Sequence, residues 1–247
     1  MKGWTEATVL STEYLGDNLY YLTLEADIKP FVPGQSIRLG MTSANTIHSR
    51  RYGIASAPSE GELKFYVECI PDGYVSPWLC GREVGDRIWM TRQAEGSMIL
   101  EPIPDNIRVL WLMAEDVGVA PFLSMLKSRE LWDRFEKVVL VHEARSPSYL
   151  VKQQIIMSHA DKTPDRFAYV PIVSKQPHPY ALCGRTPQLI RDQLIEMVAD
   201  ETLEPDRQFA LLCGPDDALN RSIAELLHLG FRRHYPVSPG HILSLHY

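Results

Sequence analysis

The chain has 247 residues, of which 45% are hydrophobic and 23% charged, and its formal net charge is −6. This length accommodates two domains of about 100–150 residues each, and the composition is that of an ordinary globular protein. The negative charge argues against nucleic acid as the main partner, and no apolar run reaches the roughly 18 residues that a membrane span needs.

The start of the chain and its cysteines narrow the class further. Met-Lys-Gly-Trp-Thr-Glu contains no apolar secretory core, so we expect a cytoplasmic protein. The cysteines are Cys69, Cys80, Cys183 and Cys213, and their spacing is wide and irregular. No Cys-x-x-Cys pair or plant-type iron–sulfur run is present, so we expect no bound metal.

The first hundred residues consist of short β-branched or aromatic runs separated by turn residues such as Pro33-Gly34 and Gly85-Asp86. Such runs predict strands, and many short strands without a long helix indicate a small antiparallel barrel. The predicted strands are 7–10, 20–24, 36–39, 63–67 and 87–90. One short helix is predicted at Ser76–Cys80, with Ser76 as its cap and Pro77 at its first position.

The pattern changes after about residue 104. Apolar runs at 109–113, 137–141, 167–170 and 209–212 predict buried strands, and 121–134 and 187–199 predict helices between them. This alternation is typical of βαβ units with a parallel sheet. We therefore predict a β-barrel domain at 1–101 followed by an α/β domain at 102–247, joined near Glu101–Pro104.

Three motifs occur in a characteristic order along the chain. Arg50-Arg-Tyr-Gly53 lies on a predicted strand, and Arg50 and Tyr52 share one face of it because alternate residues of a strand point the same way. Gly118-Val-Ala-Pro-Phe122 and Leu212-Cys-Gly-Pro215 each follow a predicted strand of the second domain. Together these motifs resemble the ferredoxin–NADP reductase family, specifically its bacterial flavodoxin/ferredoxin reductase branch, over nearly the whole chain.

The resemblance implies an FAD site in the first domain. Arg50 would contact the diphosphate and Tyr52 would pack on the isoalloxazine ring, while Gly53 stands where the family has Ser or Thr. Asp72-Gly-Tyr-Val-Ser76 is similar to the family's Gly-x-x-Ser/Thr turn, whose helix start would meet the diphosphate. The full predicted set for FAD is Arg50, Tyr52, Gly53, Glu68, Cys69, Ile70, Gly73, Ser76 and Tyr247.

The C-terminal segment Pro239–Tyr247 also resembles the bacterial branch, in which the tail folds back toward FAD. Tyr247 would then stack on the cofactor, and Leu245 replaces the family's usual Glu. Considered without the family, the segment is better interpreted as a frayed terminus.

For the second domain the resemblance implies a pyridine nucleotide site. Three cations stand where the branch contacts the 2′-phosphate of NADP, and such a cluster suits a phosphate monoester. Cys213 would lie near the nicotinamide, or it is simply a small buried residue. The full predicted set is Gly118, Pro121, Arg145, Lys175, Arg185, Cys213 and Gly214.

The chain departs from the family in the loop before Gly118. Ala114-Glu-Asp-Val-Gly118 replaces Thr-Gly-Thr-Gly, so Glu115 and Asp116 add bulk and negative charge where the phosphates would approach. One acid about 6 Å from a phosphate charge costs roughly 3 kcal/mol at an effective dielectric of about 20. Either the acids face the nucleotide, with Asp116 capping its own helix and filling the anion site, or both point to solvent.

The resemblance implies an FAD-dependent oxidoreductase that moves electrons between NADP(H) and a separate carrier such as ferredoxin or flavodoxin. Hydride transfer to a flavin needs no side-chain acid or base, so no catalytic residue is assigned. Two alternatives stay open. One is an FAD-binding electron-transfer or binding protein with weakened or lost NADP(H) use, and the other is a structural homologue without flavin.

Overall fold

The computed structural model describes residues 3–44 and 46–247; Met1, Lys2 and Asn45 lie outside the described residues. The chain separates into two compact units. The first comprises residues up to Ile99 together with Ala120–Ser128, and the second comprises Leu100–Val119 and Arg129–Tyr247. No helix in the described part of the chain combines the length and hydrophobicity of a membrane crossing.

The first unit is built on one antiparallel sheet whose strand order is β4-β3-β6-β1-β2-β5. Its strands are β1 (Trp4–Gly16), β2 (Leu19–Glu25), β3 (Ser36–Ser43), β4 (Thr46–Gly53), β5 (Leu63–Glu68) and β6 (Arg87–Thr91). The end strands β4 and β5 also approach each other, so the sheet rolls up around a core. Ala7, Val9 and Phe65, all fully buried, are part of that core.

Before Ile99 the described residues contain one α-helix, α1 (Ser76–Cys80), and one short 3₁₀ helix, Pro58–Glu60. The predicted cap is wrong, because Val75 occupies the N-cap position and makes no side-chain cap bond. Ser76 is the first helical residue, and its Oγ instead accepts a hydrogen bond from the Ile70 amide at 3.0 Å. Pro77 therefore takes the second helical position rather than the first.

The second unit is built on a parallel sheet whose order is β10-β9-β8-β7-β11-β12. Its strands are β7 (Val109–Glu115), β8 (Lys137–Ala144), β9 (Phe167–Val173), β10 (Leu182–Cys183), β11 (Gln208–Gly214) and β12 (Ile242–His246). Nearly every residue of β8 and β11 is buried, as expected for strands covered on both faces. The predicted fold class, an antiparallel unit followed by a parallel α/β unit, is confirmed.

In the described part of the chain six α-helices follow α1, and the two helices predicted for the second domain are each split in two. They are α2 (Ala120–Leu126), α3 (Arg129–Arg134), α4 (Gln153–Lys162), α5 (Thr186–Arg191), α6 (Leu194–Ala199) and α7 (Asp216–His228). The break after α2 consists of tightened i to i+3 bonds at Lys127 and Ser128. The break after α5 lies at Gln193, whose φ of 56° is left-handed and incompatible with a continuing helix.

Helix α2 is part of the first unit because its side chains contact residues of that unit. The buried Ser124 hydroxyl donates to the Ser56 carbonyl at 2.7 Å, and Lys127 forms an ion pair with Glu60 at 2.6 Å. Ala120–Ser128 thus belongs to the first unit. The predicted domain boundary between residues 101 and 102 stays a prediction.

The C-terminal segment is not frayed. Ile242–His246 forms β12, which pairs in parallel with β11 from Ala210 to Gly214. The interpretation of this segment as a loose terminus is therefore wrong, and Tyr247 extends from an ordered edge strand.

The buried Gln208 side chain supports a testable prediction about the α/β unit. Its Oε1 accepts from Trp111 Nε1 at 2.8 Å, and its Nε2 donates to the Thr202 carbonyl at 2.8 Å. Gln208→Leu should lower the free energy of unfolding by about 1–3 kcal/mol, because it leaves a buried indole N–H unpaired. Denaturant unfolding measures this, and the exposed Gln188→Leu is the matched control. Equal stability of both variants would contradict the prediction.

Candidate functional site

The carboxyl ends of the parallel strands gather charged residues in the second unit. Glu115 ends β7, Arg145 directly follows β8, and Lys175 follows β9. Ligands of open α/β sheets bind beyond these strand ends, so this edge is where a nucleotide is expected. Among the described residues no cluster of His, Cys, Asp and Glu is arranged to hold a metal ion.

Asp116 turns into the protein and binds Arg145. Its side chain is 2% exposed, and its Oδ2 lies 2.6 Å from Arg145 Nε and 2.5 Å from Nη2. Its other oxygen accepts from the Arg145 backbone N–H at 2.9 Å. The φ of 48° at Asp116 is left-handed, a conformation that Asp tolerates better than most residues. The carboxylate therefore bonds across to the end of β8 instead of capping its own helix, so the predicted self-cap is wrong.

Glu115 and Glu143 lie directly opposite each other on the paired strands β7 and β8. Arg185 bridges them, with its Nη1 2.8 Å from Glu143 Oε1 and 3.3 Å from Glu115 Oε1. Glu143 Oε2 also accepts from the Thr186 amide at 2.8 Å, at the first residue of α5. The Glu143 carboxylate thus binds both the Arg185 guanidinium group and the first backbone amide of α5.

The surroundings of Glu115 favour its neutral form. Burial raises the pKa of Glu115 to about 7, and the neighbouring charges of Glu143 and Asp116 act in the same direction. Arg185 and Arg145 lower this pKa but do not offset the burial. Three carboxylates surround two guanidinium groups here, so one negative charge is in excess when all three are ionised.

His142 forms a hydrogen bond to the backbone of the loop that contains Asp116. It is fully buried, and its Nε2 lies 3.0 Å from the Asp116 carbonyl, to which a neutral imidazole protonated at Nε2 donates. Burial lowers the pKa of His142 to about 4, so the ring stays neutral near pH 7.

These contacts exclude the interpretation in which both acids point to solvent. Neither acid points to solvent: Asp116 is buried and the Glu115 side chain is 14% exposed. Of the three predicted phosphate-binding cations, the structure brings Arg145 and Arg185 into one charge network. Lys175 is exposed and makes no ion pair with any residue in 3–44 or 46–247.

The two glycine-containing turns of the second unit contact each other. A Cβ at Gly118 would lie 2.3 Å from the Cys213 carbonyl oxygen, and one at Gly214 would lie 3.1 Å from Glu115 Cβ. Close packing therefore requires glycine at position 118, in addition to its predicted role in nucleotide binding. Cys213 is buried, which raises the pKa of its thiol to about 12, and this agrees with its interpretation as a small buried residue.

Tyr247 is tied to the same loop. Its hydroxyl donates to the Glu115 carbonyl at 2.7 Å, and its amide donates to the Gly214 carbonyl at 3.3 Å. The ring remains about half exposed. Its predicted stacking on FAD stays a prediction.

The predicted flavin residues of the first unit alternate on β4 as expected. Arg50 and Tyr52 lie opposite Leu39 and Ile37 of β3, whereas Arg51 forms an ion pair with Glu95 at 3.5 Å. Tyr52 is partly buried against the core, and burial raises the pKa of its hydroxyl. Arg50 is exposed and donates to the Ser49 carbonyl. An exposed cation beside a half-buried ring fits a diphosphate joined to an aromatic ring system.

Gly53 is closely packed at the end of this strand. A Cβ there would lie 2.8 Å from Pro121 Cδ and 3.5 Å from Ala120 Cβ. The space that a Ser or Thr side chain would occupy is thus taken by the Pro121 ring, so only the backbone of Gly53 is available to a ligand.

The predicted diphosphate turn lies beside β4. Tyr74 contacts His48 edge-on, with ring centroids 4.9 Å apart, which brings the turn next to the strand that carries Arg50. A Cβ at Gly73 would lie 2.9 Å from the Ile70 carbonyl oxygen, so this turn requires glycine. Ile70 and Tyr74 are about half exposed, and Glu68 and Cys69 are partly buried. These exposed apolar groups are available to line a planar ligand.

Comparison with known proteins agrees with this geometry. The oxidoreductase NAD-binding domain family matches residues 112–223. The chain is 30% identical to ferredoxin–NADP reductase A of Sorangium cellulosum, covering 98% of this chain and 89% of that protein. The chain belongs to the ferredoxin–NADP reductase family.

Two further members of the family match over the full length. The flavodoxin/ferredoxin–NADP reductase of Escherichia coli (strain K12) is 28% identical, with all of both chains covered. The crystal structure of a ferredoxin NADP+ reductase from Neisseria gonorrhoeae with bound FAD and NADP superimposes with a TM-score of 0.93 at 26% identity, covering 100% of this chain and 99% of that one.

Sequence reasoning missed Glu143. A signal was present in the sequence, because an acid directly after the apolar run of a predicted buried strand needs a partner. Identifying that partner requires the parallel register of β7 and β8, which places Glu143 opposite Glu115.

The packing of Gly53 leads to a second prediction. Gly53→Ser should lower the free energy of unfolding by about 1–3 kcal/mol, because its Cβ overlaps the rigid Pro121 ring. Thermal unfolding measures the change. Gly81→Ser is the control, since a Cβ there makes ordinary contacts at 3.6 Å. A Gly53→Ser protein as stable as the control would show that Pro121 yields without cost.

The pKa of Glu115 leads to a third prediction, about stability and pH. Its folded value of about 7 exceeds its ordinary value of 4.5, so the folded protein binds more protons than the unfolded chain between these pH values. The free energy of unfolding should therefore decrease as pH rises from 4.5 to 7, by up to about 3 kcal/mol from this group. Glu115→Gln should remove this decrease.

Denaturant unfolding at several pH values measures the difference between the two proteins. The lowered pKa of His142 acts in the opposite direction, but it is common to both proteins and cancels in the difference. A constant stability difference from pH 4.5 to 7 would exclude a raised pKa for Glu115.

Proposed function

We propose that this protein is an FAD-dependent oxidoreductase that transfers electrons between NADP(H) and a small one-electron carrier of the ferredoxin or flavodoxin type. Membership of the family supports this, together with the similarity to a reductase solved with bound FAD and NADP. The single observation that carries the flavin assignment is Arg50, exposed next to Tyr52 and beside the Gly73 turn.

Within this proposal the residues of the first unit hold and orient the flavin. Arg50 donates charge-assisted hydrogen bonds to the diphosphate, and Tyr52 packs against the ring system. Gly53 offers its backbone N–H alone, because Pro121 fills the space beside it. Ile70, with Glu68 and Cys69, lines the ring edge. FAD, when bound, supplies the chemistry of accepting a hydride and releasing single electrons.

The residues of the second unit receive the nucleotide at the carboxyl edge of the sheet. Gly118, Cys213 and Gly214 form the turns of this unit that would face it, and Pro121, which belongs to the first unit, is a further predicted contact. The cations Arg145, Lys175 and Arg185 would face the 2′-phosphate. The ion pairs described above mean that Arg145 and Arg185 would meet the phosphate while bound to protein carboxylates.

The names of the relatives support a ferredoxin or flavodoxin as the partner. Because these relatives are bacterial reductases, they also support a cytoplasmic location. Both belong to the proposal. We assign no oligomeric state.

The flavin assignment predicts the effect of one substitution. Purified protein should contain about one FAD per chain. Arg50→Ala should weaken FAD binding about 10-fold or more, because a charged hydrogen bond to the diphosphate is lost. Arg51→Ala is the matched control, since Arg51 pairs with Glu95 on the other face of β4. FAD affinity is measured by fluorescence after reconstitution of the apoprotein. Equal retention by both variants, or a protein that takes up no FAD, would overturn the assignment.

Anaerobic titration with NADPH tests the reductase function directly. Bleaching of the flavin absorbance is expected, followed by reoxidation on addition of ferredoxin or flavodoxin. A flavin that NADPH does not reduce, in a protein that still passes electrons between carriers, would leave the electron-transfer alternative as the function.

A further inference from the structure

The two arginines at the carboxyl edge already have anionic partners. Asp116 contacts Arg145 through three donors, and Glu143 with Glu115 holds Arg185. The carboxylates are 2–14% exposed, whereas Arg145 and Arg185 are 34% and 49% exposed. The carboxylates are therefore largely buried, whereas both guanidinium groups are partly exposed to solvent, and Arg185 is about half exposed.

A phosphate that approaches these arginines must compete with those carboxylates. It cannot displace them into water easily, because they are buried and Glu143 also accepts the Thr186 amide. It also meets no net positive charge, since Asp116 and Glu143 already balance the two guanidinium groups. A dianionic phosphate thus gains little from Arg145 and Arg185, and the exposed Lys175 is the cation that stays available.

A ribose hydroxyl meets none of these obstacles. It carries no charge, and it can donate to a carboxylate oxygen, which is how acidic residues recognise the 2′-hydroxyl in NAD-binding folds. Arginines that are neutralised by carboxylates therefore lower the preference for the nucleotide that carries a 2′-phosphate. They do so whether or not they change the affinity for the rest of the nucleotide.

We propose that Glu143, Glu115 and Asp116 are specificity-determining residues: by neutralising Arg185 and Arg145 they abolish most of the preference for a 2′-phosphate, so that the protein uses NADH nearly as well as NADPH. This inference rests on the proposed function, because it concerns the same nucleotide site. It differs from simple loss of the site, which would abolish binding of both nucleotides.

Ligand binding tests the inference without flavin chemistry. Adenosine 2′,5′-bisphosphate and 5′-AMP differ by the 2′-phosphate alone, and calorimetry gives both dissociation constants. In the unmutated protein the ratio of these constants should be within about 10-fold. Glu143→Gln keeps the shape and the bond from Thr186 but removes the charge, and it should raise the preference for the bisphosphate about 10-fold, as expected for a charged hydrogen bond made available. Asp116→Asn should do the same through Arg145.

The control is Glu225→Gln, which removes the charge from the Arg191–Glu225 pair at 2.9 Å, on helices of the same unit. It should leave the ratio unchanged, and circular dichroism should show all variants folded. In addition, the gain in Glu143→Gln should shrink as salt is raised, because screening weakens the new phosphate contact.

Anaerobic flavin reduction by NADPH and NADH separates this inference from the proposed function. Similar second-order rate constants for the two nucleotides in the unmutated protein are expected. A preference for NADPH above about 100-fold that Glu143→Gln and Asp116→Asn leave unchanged would overturn the inference and keep the function. Reduction by neither nucleotide would overturn the function, and absence of binding by both adenosine ligands would overturn both.

Discussion

The parallel pairing of β7 with β8 places two glutamates opposite each other, and the whole charged edge of the sheet follows from that constraint. Glu115 and Glu143 are cross-strand partners. Like charges at this separation are destabilising unless a cation lies between them, and Arg185 takes that place. One residue further along, Asp116 adds a third buried acid and recruits Arg145. A cation that neutralises a buried acid is no longer fully available to a ligand.

Buried ion pairs of this kind contribute little net stability. A buried pair roughly offsets its own desolvation, but removing one partner leaves an uncompensated charge that costs about 3–5 kcal/mol. Replacing Arg145 or Arg185 alone is therefore a poor probe of nucleotide binding, because the stranded carboxylates would destabilise the loop. Amide replacements of the acids alter the charge while keeping the volume, so they separate the structural from the binding role.

The sequence was sufficient for the fold class. Apolar and aromatic runs located nine of the strands, although β1 continues six residues beyond its predicted end, and Arg50-x-Tyr52 located β4. It was insufficient where the outcome depends on the partner of a side chain. Ser76 could cap its helix but instead accepts from Ile70, and Gln193 breaks a helix through a left-handed conformation that its residue type does not require. The short β10 and the terminal β12 had no strong pattern, and they form because neighbouring strands offer free edges.

The orientations of Glu115 and Asp116 show most clearly what the sequence pattern alone does not reveal. An acidic loop before a helix predicts either repulsion of a phosphate or a solvated surface. The structure gives a third arrangement, in which the acids bind the cations that the same pattern assigns to the phosphate. The separate predictions for Glu115, Asp116, Arg145 and Arg185 were therefore not independent, because each acid changes what its arginine can do. Only the register of adjacent strands reveals that coupling, and it is the reason why our proposal on nucleotide preference rests on charge balance rather than on the count of arginines.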